Sequence, residues 1–202
     1  MRLFLIGLGC FGLLVGASAV TQQNARASRS AYIPGLTFQP QTYNNCGPAS
    51  VAGVLGAYGI SISQEQVSQV LRPTGTGYMR ADVIDGYVRQ FGLRAPLVVS
   101  GRIENVKAVI DLGVPVLVLQ WLKGSGSGKD FVGEVPHFRT VRGYDDQAGV
   151  FWVNDPLIGE DAVISYKDFT TLWSVYDRWF IPIYPQNLTP RMEATLGIKM
   201  PR

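Results

Sequence analysis

The sequence predicts an α+β domain with its helices first and its antiparallel strands second. Four helices are predicted between residues 46 and 113 from helix-boundary residues and apolar spacing, whereas short apolar or alternating segments typical of strands follow from residue 114 onward. This segregation of helices and strands is typical of the α+β class. Of the 202 residues, 47% are hydrophobic and 16% are charged, so the chain can bury a core and is not disordered.

The first predicted helix carries a cysteine at its start. The triplet CGP at residues 46–48 opens a run of small and apolar residues that ends at Gly59. Pro near the start and Gly just past the end are typical of helix boundaries. No residue from 30 to 64 is charged, so we expect this helix to be buried on all sides, with Cys46 at its N-terminus.

Three further helices and a set of strands follow. Ser63 and Gln66 form a capping-box pattern for a second helix that reaches about Arg72. Two more apolar faces end at Gly92 and Gly113, and they consist of Val83, Ile84, Tyr87, Val88 and Phe91, then Ile103, Val106, Val109 and Ile110. Strands are predicted at residues 114–122, 137–144, 150–156, 162–166 and 178–184, with a short helix near 167–173.

The N-terminus has the pattern of a secretory signal peptide. Arg2 precedes an uncharged apolar run, and the small residues Ala17, Ser18 and Ala19 match a signal-peptidase site, so we expect cleavage after Ala19 and export. The apolar stretch is shorter than the roughly 20 residues that span a bilayer. We therefore expect no stable membrane span once the chain is processed, and an uncleaved anchor is the alternative.

The predicted organisation has four parts. They are a signal peptide at residues 1–19, a spacer at 20–35, one domain at 36–185 and a loose C-terminal tail at 186–202.

Charge and rare residues exclude several classes of function. A formal net charge of +3 is too weak to indicate nucleic-acid binding. With one His and two Cys, the chain lacks the ligands for a Cys/His zinc site and the pairs for a disulfide framework. The glycine-rich segment at 124–129 fails the spacing of a phosphate loop, because Lys123 and Asp130 occupy required Gly and Ser/Thr positions. We therefore expect no metal and no cofactor.

Removal of the signal peptide leaves Cys46 as the single cysteine. An unpaired thiol is unusual in an exported protein, because oxidising compartments pair or damage free cysteines. A buried core cysteine is the ordinary explanation. At a helix N-terminus, however, backbone N–H groups and the helix dipole favour the thiolate. Cys46 is therefore a candidate nucleophile, and the only histidine, His137, is its candidate base.

The predicted hairpin supplies a third group. If the turn at residues 145–149 is centred near Asp146, His137 lies opposite Asp155 on one face of the sheet and Asn154 points to the other face. Asp155 would then accept the second imidazole N–H and orient the ring. A bulge at Gly149 would break this pairing. The alternatives are a surface histidine at a strand start and a turn aspartate before a proline.

An acyl-transfer reaction also needs donors for the developing oxyanion. The backbone N–H of Cys46 is one, and a side-chain amide just upstream can be the second. Gln41, Asn44 and Asn45 are the candidates.

Three segments together resemble a known family. QTYNNCGPASVAGVLGAYG, HFRTVRGYDD and VNDP are similar to sequences of the papain-like cysteine peptidases related to the double-glycine leader peptidases, which process bacteriocin precursors. The resemblance spans about residues 40–184, and its NNCGPAS block is specific. It implies a papain-like fold in which a central buried helix carries the cysteine and a C-terminal antiparallel sheet carries the histidine and the aspartate.

The resemblance also implies roles for individual residues. Cys46 would be the nucleophile, His137 the general base, Asp155 the orienting group and Gln41 the amide of the oxyanion hole. Gln41 precedes the cysteine by five residues, where six is usual in papain-like enzymes.

The expected function is that of an exported thiol hydrolase acting on a peptide or a cell-wall-type amide. Leader peptidases are fused to transporter domains and act in the cytoplasm, whereas we expect this chain to be exported without a transporter, so bacteriocin maturation is not implied. The alternatives are an inactive module that binds a peptide or glycan, and an acyl transferase that uses the same three groups.

Overall fold

The computed structural model describes residues 29–74, 77–122 and 135–200. The elements in chain order are β1 (Ser30–Tyr32), α1 (Cys46–Ala57), α2 (Gln64–Leu71), α3 (Ile84–Val88), β2 (Leu93–Arg94), α4 (Ile103–Ile110), β3 (Val116–Trp121), β4 (Pro136–Asp145), β5 (Val150–Asp155), β6 (Gly159–Ser165), α5 (Tyr166–Ser174), β7 (Phe180–Pro182), β8 (Tyr184–Pro185) and α6 (Thr189–Leu196). Short 3₁₀ turns flank α3 and precede α6. Helices dominate the first half and antiparallel strands the second, as the α+β prediction requires.

Strand β4 is the centre of a six-stranded antiparallel sheet. The strand order is β6-β5-β4-β3-β7, and β1 also pairs with β4. Along one edge of β4, β3 pairs with residues 136–141 and β1 with residues 143–145, while β5 takes the other edge. Strands β2 and β8 form a separate two-stranded sheet.

Helix α1 packs against β4 and β5 and is buried along almost its whole length. Every residue from Cys46 to Leu55 is buried, which confirms the prediction from the uncharged sequence. Two glycines let the preceding segment cross the helix closely. A Cβ atom would lie 2.6 Å from the carbonyl oxygen of Thr37 if placed on Gly53, and 2.3 Å from its hydroxyl if placed on Gly56. Helix α1, which carries Cys46, is therefore packed between the segment at Thr37 and the sheet.

Aromatic residues pack α5 against the sheet. The ring centroid of Phe169 lies 4.5 Å from that of Phe151 on β5 and 5.3 Å from that of Trp173, and all three side chains are fully buried. Each such ring buries about 150–250 Å² and accounts for much of the core energy. This packing fixes α5 against the sheet.

The prediction of a loose tail at 186–202 is wrong for the described residues. Helix α6 begins with Pro190 in its first turn and ends at Gly197, whose φ of 67° is left-handed. Met192 is fully buried, and α6 packs against α4. Met192 and Leu196, four residues apart, form too short an apolar pattern to predict this packing from sequence.

The predicted spacer also contains a structured end. Ser30–Tyr32 forms β1, and Arg142 of β4 donates from Nε and Nη2 to the carbonyl oxygen of Ile33, both at 3.2 Å. The spacer prediction is therefore wrong from residue 30 onward. The predicted signal peptide lies outside the described residues. Within the three described ranges, no helix is long and apolar enough to cross a membrane.

Candidate active site

The hairpin of β4 and β5 brings His137 and Asp155 together through a register different from the predicted one. Thr140 pairs with Asn154, so Asp155 lies level with Arg139 and diagonal to His137. The prediction that His137 stands directly opposite Asp155 is therefore wrong. His137 and Asp155 nevertheless lie on the same face of the sheet, as predicted.

A bulge explains why the face is retained. The turn occupies residues 146–149, so the pairs next to it are displaced by three residues from the predicted register. Gly143 pairs with Trp152 and Val141 pairs with Val153, so Arg142 is an extra residue on β4 without a partner on β5. Beyond this bulge, the register differs from the predicted one by two residues instead of three. A net shift of two keeps every side chain on its face, since strand side chains alternate with period two.

The imidazole of His137 and the carboxylate of Asp155 form a short hydrogen bond. His137 Nε2 lies 2.7 Å from Asp155 Oδ1, and the exposed fractions of the two residues are 2% and 0%. The backbone N–H groups of Leu157 and Ile158 donate to the same oxygen at 2.9 and 3.3 Å. The turn after β5 therefore holds the carboxylate in place for the imidazole.

Arg139 is part of this site although the sequence did not indicate it. Its Nε donates to Asp155 Oδ2 at 2.6 Å, and its Nη1 donates to Gln120 Oε1 at 3.0 Å. Gln120 is fully buried and donates to the carbonyl oxygen of Phe169 at 2.9 Å. The two oxygens of Asp155 are thus divided between His137 and a buried cation. A charged residue inside a buried strand, two positions after the histidine, was the available signal.

The thiol of Cys46 lies at the first residue of α1, 7% exposed, in hydrogen-bond contact with His137. Burial opposes ionisation of this thiol, but the hydrogen bond and positive charge of His137 outweigh it, so the pKa of Cys46 is lowered. For His137, burial opposes protonation, but hydrogen bonds to Asp155 and Cys46 outweigh it and raise the imidazole pKa. Thiolate and imidazolium therefore stabilise each other.

The carboxyl group of Asp155 remains ionised beside them. Burial acts to raise its pKa, but the hydrogen bond and charge of His137, with the charge of Arg139, hold that pKa well below its usual range. Asp155 is therefore a hydrogen-bond acceptor throughout the range in which His137 titrates.

The three candidate oxyanion amides differ in placement. Gln41 and Asn44 line the same cavity as Cys46 and His137. Asn45 is the N-cap of α1, and its Nδ2 donates to Thr42 Oγ1 at 2.7 Å, inside the loop. The Oε1 atom of Gln41 is buried and has no hydrogen-bond partner among the described residues.

The segment that carries Gln41 is braced by Gln64, a residue that the sequence did not indicate. Gln64 is 6% exposed; its Oε1 accepts from the backbone N–H of Thr42 at 2.8 Å, and its Nε2 donates to the carbonyl oxygen of Pro40 at 2.8 Å. The backbone N–H of Gln41 also donates to the carbonyl oxygen of Pro156 at 2.8 Å. Gln41 is therefore tied to α2 on one side and to the turn that holds Asp155 on the other.

Two cavities meet at Cys46. The smaller, of about 310 Å³, is lined by Gln41, Thr42, Tyr43, Asn44, Cys46, Tyr78, Leu122, Val135, Pro136, His137 and Leu157. The larger, of about 560 Å³, is lined by Cys46, Tyr78, Met79, Arg80, Ala81, Asp82, Leu97, Leu119, Pro136, Phe138, Tyr176 and Trp179. The thiol therefore lies where a substrate can extend in two directions. Among the described residues, no cluster of three or more His, Cys, Asp or Glu side chains could hold a metal ion.

A central helix that begins with a cysteine and packs on an antiparallel sheet bearing a histidine defines the papain-like class of cysteine peptidases. The sequence model of the Peptidase_C39-like family matches residues 22–179, and the chain belongs to this family. The protein is thus a cysteine peptidase of the C39-like type, and the predicted resemblance is confirmed. No curated protein matches the sequence.

Solved structures show the same fold. A C39-like peptidase from Bacillus anthracis has a TM-score of 0.61 and 15% identity, over 77% of this chain and 97% of that one. The peptidase domain of Streptococcus ComA, a bifunctional ABC transporter involved in quorum sensing, has a TM-score of 0.57 and 20% identity, over 75% and 99%. A double-glycine motif protease from an AMS/PCAT transporter, in complex with the leader peptide, has a TM-score of 0.52 and 17% identity, over 78% and 99%. These likenesses confirm the predicted papain-like α+β fold.

Proposed function

We propose that this protein hydrolyses peptide bonds with Cys46 as nucleophile, His137 as general base and acid, and Asp155 as the group that orients the imidazole. One observation carries the proposal. The buried thiol contacts an imidazole whose Nε2 lies 2.7 Å from an ionised carboxylate, and the thiol opens onto two cavities. Nucleophile, base and orienting group within hydrogen-bond reach are the requirements for covalent catalysis.

The geometry supports one route for the proton transfers. Because Asp155 engages Nε2 of His137, Nδ1 is the ring nitrogen left for the thiol. The thiolate of Cys46 attacks the carbonyl carbon, the C–N bond breaks, and His137 protonates the departing amine. Water, deprotonated by His137, then attacks the thioester, and the carboxylic acid and the free thiolate are released.

Gln41 is the proposed second donor to the oxyanion, beside the backbone N–H of Cys46. Replacing Gln41 by Ala is expected to lower kcat about 10²- to 10³-fold with little change in KM, because the lost interaction forms mainly in the transition state. Steady-state kinetics on a cleaved peptide measure this. Gln90→Ala, an exposed glutamine beside α3, is the matched control. An unchanged kcat in Gln41→Ala would move the role to Asn44, the other amide that lines the cavity.

A peptide is the proposed substrate class. The neighbour solved with a leader peptide has the same fold, which supports a peptide in this cleft. The double-glycine motif belongs to the name of that protein and is not part of the proposal. The proposal retains export, since residues 1–19 have the pattern of a signal peptide. N-terminal sequencing of the mature protein should then begin at Val20.

Digestion of a peptide library, read by mass spectrometry, tests the proposed reaction. The protein is expected to generate new peptide termini, and protein alkylated at Cys46 should generate none. Peptidoglycan fragments in a parallel reaction test the cell-wall alternative. Cleavage that persists after complete alkylation of Cys46 would contradict the proposal.

A further inference from the structure

We propose that Gln64 is a positioning residue for the oxyanion hole and that it acts through Gln41. This role rests on the proposed function, in which Gln41 and the backbone N–H of Cys46 donate to the oxyanion, and it deepens that function by naming the residue that fixes Gln41. Gln64 is 6% exposed and is absent from the described residues that line the two cavities at Cys46. It therefore does not contact a substrate bound in those cavities.

The segment that carries Gln41 has no regular secondary structure of its own. Residues 33–45 lie between β1 and α1 without a helix or a strand, and Pro40 and Thr42, on either side of Gln41, are exposed. Neither a strand ladder nor a helix therefore supplies hydrogen-bond partners for the backbone there. The position of Gln41 depends on the individual hydrogen bonds that this segment makes.

The side-chain amide of Gln64 makes hydrogen bonds on both sides of Gln41. Its Nε2 donates to the carbonyl oxygen of Pro40 at 2.8 Å. Its Oε1 accepts from the backbone N–H of Thr42 at 2.8 Å and from the Thr42 hydroxyl at 3.2 Å. One side chain thus pairs with the backbone of the residue before Gln41 and of the residue after it, as a neighbouring strand would.

Gln64 is itself held in a fixed place. It is the first residue of α2, and its backbone N–H donates to Gln39 Oε1 at 2.9 Å. Gln39 Nε2 in turn donates to the carbonyl oxygen of Ile62 at 2.9 Å. Helix α2 buries Val67 and Leu71 and packs against α1. The place of Gln64 relative to the helix that carries the nucleophile is therefore set by the core.

A second path joins Gln64 to the start of α1. The Thr42 hydroxyl, which donates to Gln64, accepts from Asn45 Nδ2 at 2.7 Å, and the backbone N–H of Asn45 donates to the carbonyl oxygen of Thr42 at 3.0 Å. Asn45 is the N-cap of α1, directly before Cys46. Both donors of the proposed oxyanion hole, on Gln41 and on Cys46, are thus tied to one buried amide. Because a displacement of about 1 Å can cost about 10²-fold in rate, loss of this amide should slow catalysis.

Replacing Gln64 by Leu removes the amide and keeps a buried side chain of similar size. The value of kcat for peptide cleavage is expected to fall about tenfold to a hundredfold, with little change in KM, because a misplaced donor fails mainly in the transition state. Gln69→Leu, at an exposed glutamine of the same helix, is the matched control and should keep the wild-type kcat. If thermal unfolding shows that Gln64→Leu does not fold, Gln64→Asn replaces it, since the shorter amide cannot reach both Pro40 and Thr42.

Alkylation of Cys46 separates positioning from general damage to the site. Iodoacetamide reacts with the thiolate without forming an oxyanion. Its rate with Gln64→Leu should therefore stay within about twofold of the wild-type rate. A fall in this rate that matches the fall in kcat would overturn the inference, because the loss would then lie in the thiolate and the imidazolium.

A peptide nitrile, acetyl-Ala-aminoacetonitrile, reads the oxyanion hole without turnover. The thiolate of Cys46 adds across the C≡N bond, so that an S–C bond forms, the nitrogen takes the proton of the His137 imidazolium and nothing is expelled. That nitrogen lies where the oxyanion would form. The affinity of the nitrile is read from protection of Cys46 against iodoacetamide, and Gln64→Leu should weaken it while Gln69→Leu should not.

A double-mutant cycle shows whether Gln64 acts through Gln41. In Gln41→Ala no amide remains to be positioned, so the addition of Gln64→Leu should lower kcat and nitrile affinity by no more than about twofold. Losses that multiply in the double variant would overturn the inference, as would a wild-type kcat in Gln64→Leu. A wild-type kcat in Gln41→Ala would overturn it too, because Gln64 would then have no donor to hold.

These results are separable from failure of the proposed function. Peptide cleavage with losses that multiply keeps the hydrolase and rejects the role of Gln64. If the two single variants and the double variant lose nitrile affinity non-additively while the wild-type protein cleaves no peptide, the role of Gln64 is kept and the hydrolase is rejected.

Discussion

Replacing Cys46 by Ala is expected to lower kcat/KM for peptide cleavage about 10⁴- to 10⁶-fold, the range seen when an acyl-transfer enzyme loses its nucleophile. No second cysteine is present beyond residue 46, so no neighbouring thiol can substitute. The fold should survive, because the change removes one buried sulfur from a helix of small residues. Turnover and Tm, measured on the same preparation, separate loss of chemistry from loss of structure.

Ser50→Ala is the matched control for the cysteine variant. Ser50 lies one turn further along α1 and is 4% exposed, and its Oγ has no hydrogen-bond partner among the described residues. Its removal also takes one buried heavy atom from the same helix, so near wild-type turnover is expected. If Cys46→Ala kept its activity, another group would carry the reaction. If the wild-type protein cleaved nothing, the inactive binding module considered from the sequence would become the better interpretation.

Replacing Arg139 by Met is expected to destabilise the protein by about 3 kcal/mol, because Asp155 would lose a buried partner 2.6 Å away. This is the lower end of the usual range for a broken buried ion pair. His137 and the N–H groups of Leu157 and Ile158 would still hold the carboxylate. Urea unfolding of wild type and variant measures the change.

The same substitution should also move the pH profile of kcat/KM. In the proposed mechanism, the active form contains the thiolate of Cys46, whose pKa is lowered, and the imidazolium of His137, whose pKa is raised. Activity therefore rises as pH passes the thiol pKa and falls as pH passes the imidazole pKa. Removing the positive charge of Arg139 makes the thiolate harder to form and the imidazolium harder to deprotonate. Both the rising and the falling side of the pH profile of kcat/KM should therefore shift to higher pH.

Arg94→Met separates this electrostatic effect from simple destabilisation. Arg94 is also a buried arginine, 8% exposed, but it lies on β2, pairs with Asp85 at 2.9 Å and lines neither cavity at Cys46. Its loss should lower the free energy of unfolding and leave both sides of the pH profile unchanged. If the pH profile of Arg139→Met coincided with the wild-type profile, Arg139 would have a structural role only.

The catalytic candidates were predictable because their signals are local. A CGP triplet before a charge-free run indicates a buried helix that starts at the cysteine, and α1 begins at Cys46. Alternating residues on two strands joined by a short turn place the histidine and the aspartate on neighbouring strands, as β4 and β5 do. These inferences need only periodicity and turn residues.

The register was not predictable, because distant residues stabilise the bulge that determines it. Arg142, the extra residue of β4, donates to the carbonyl oxygen of Ile33, to Asn154 Oδ1 and to Glu160 Oε1. Ile33 is more than 100 residues away in the chain, directly after the strand that the sequence did not predict. The role of Arg139 was hidden for the same reason, since it depends on which residue of β4 stands level with Asp155.

The sequence by itself determined which groups can perform the chemistry, because one cysteine and one histidine beyond residue 19 leave no other thiol–imidazole pair there. The tertiary structure decided how those groups are held and what surrounds them. The bulge at Arg142 keeps Asp155 on the histidine face, Arg139 shares its carboxylate, and a cavity of about 560 Å³ opens beside the thiol. These features arise from contacts between segments far apart in the chain, whereas periodicity and spacing report only on neighbours.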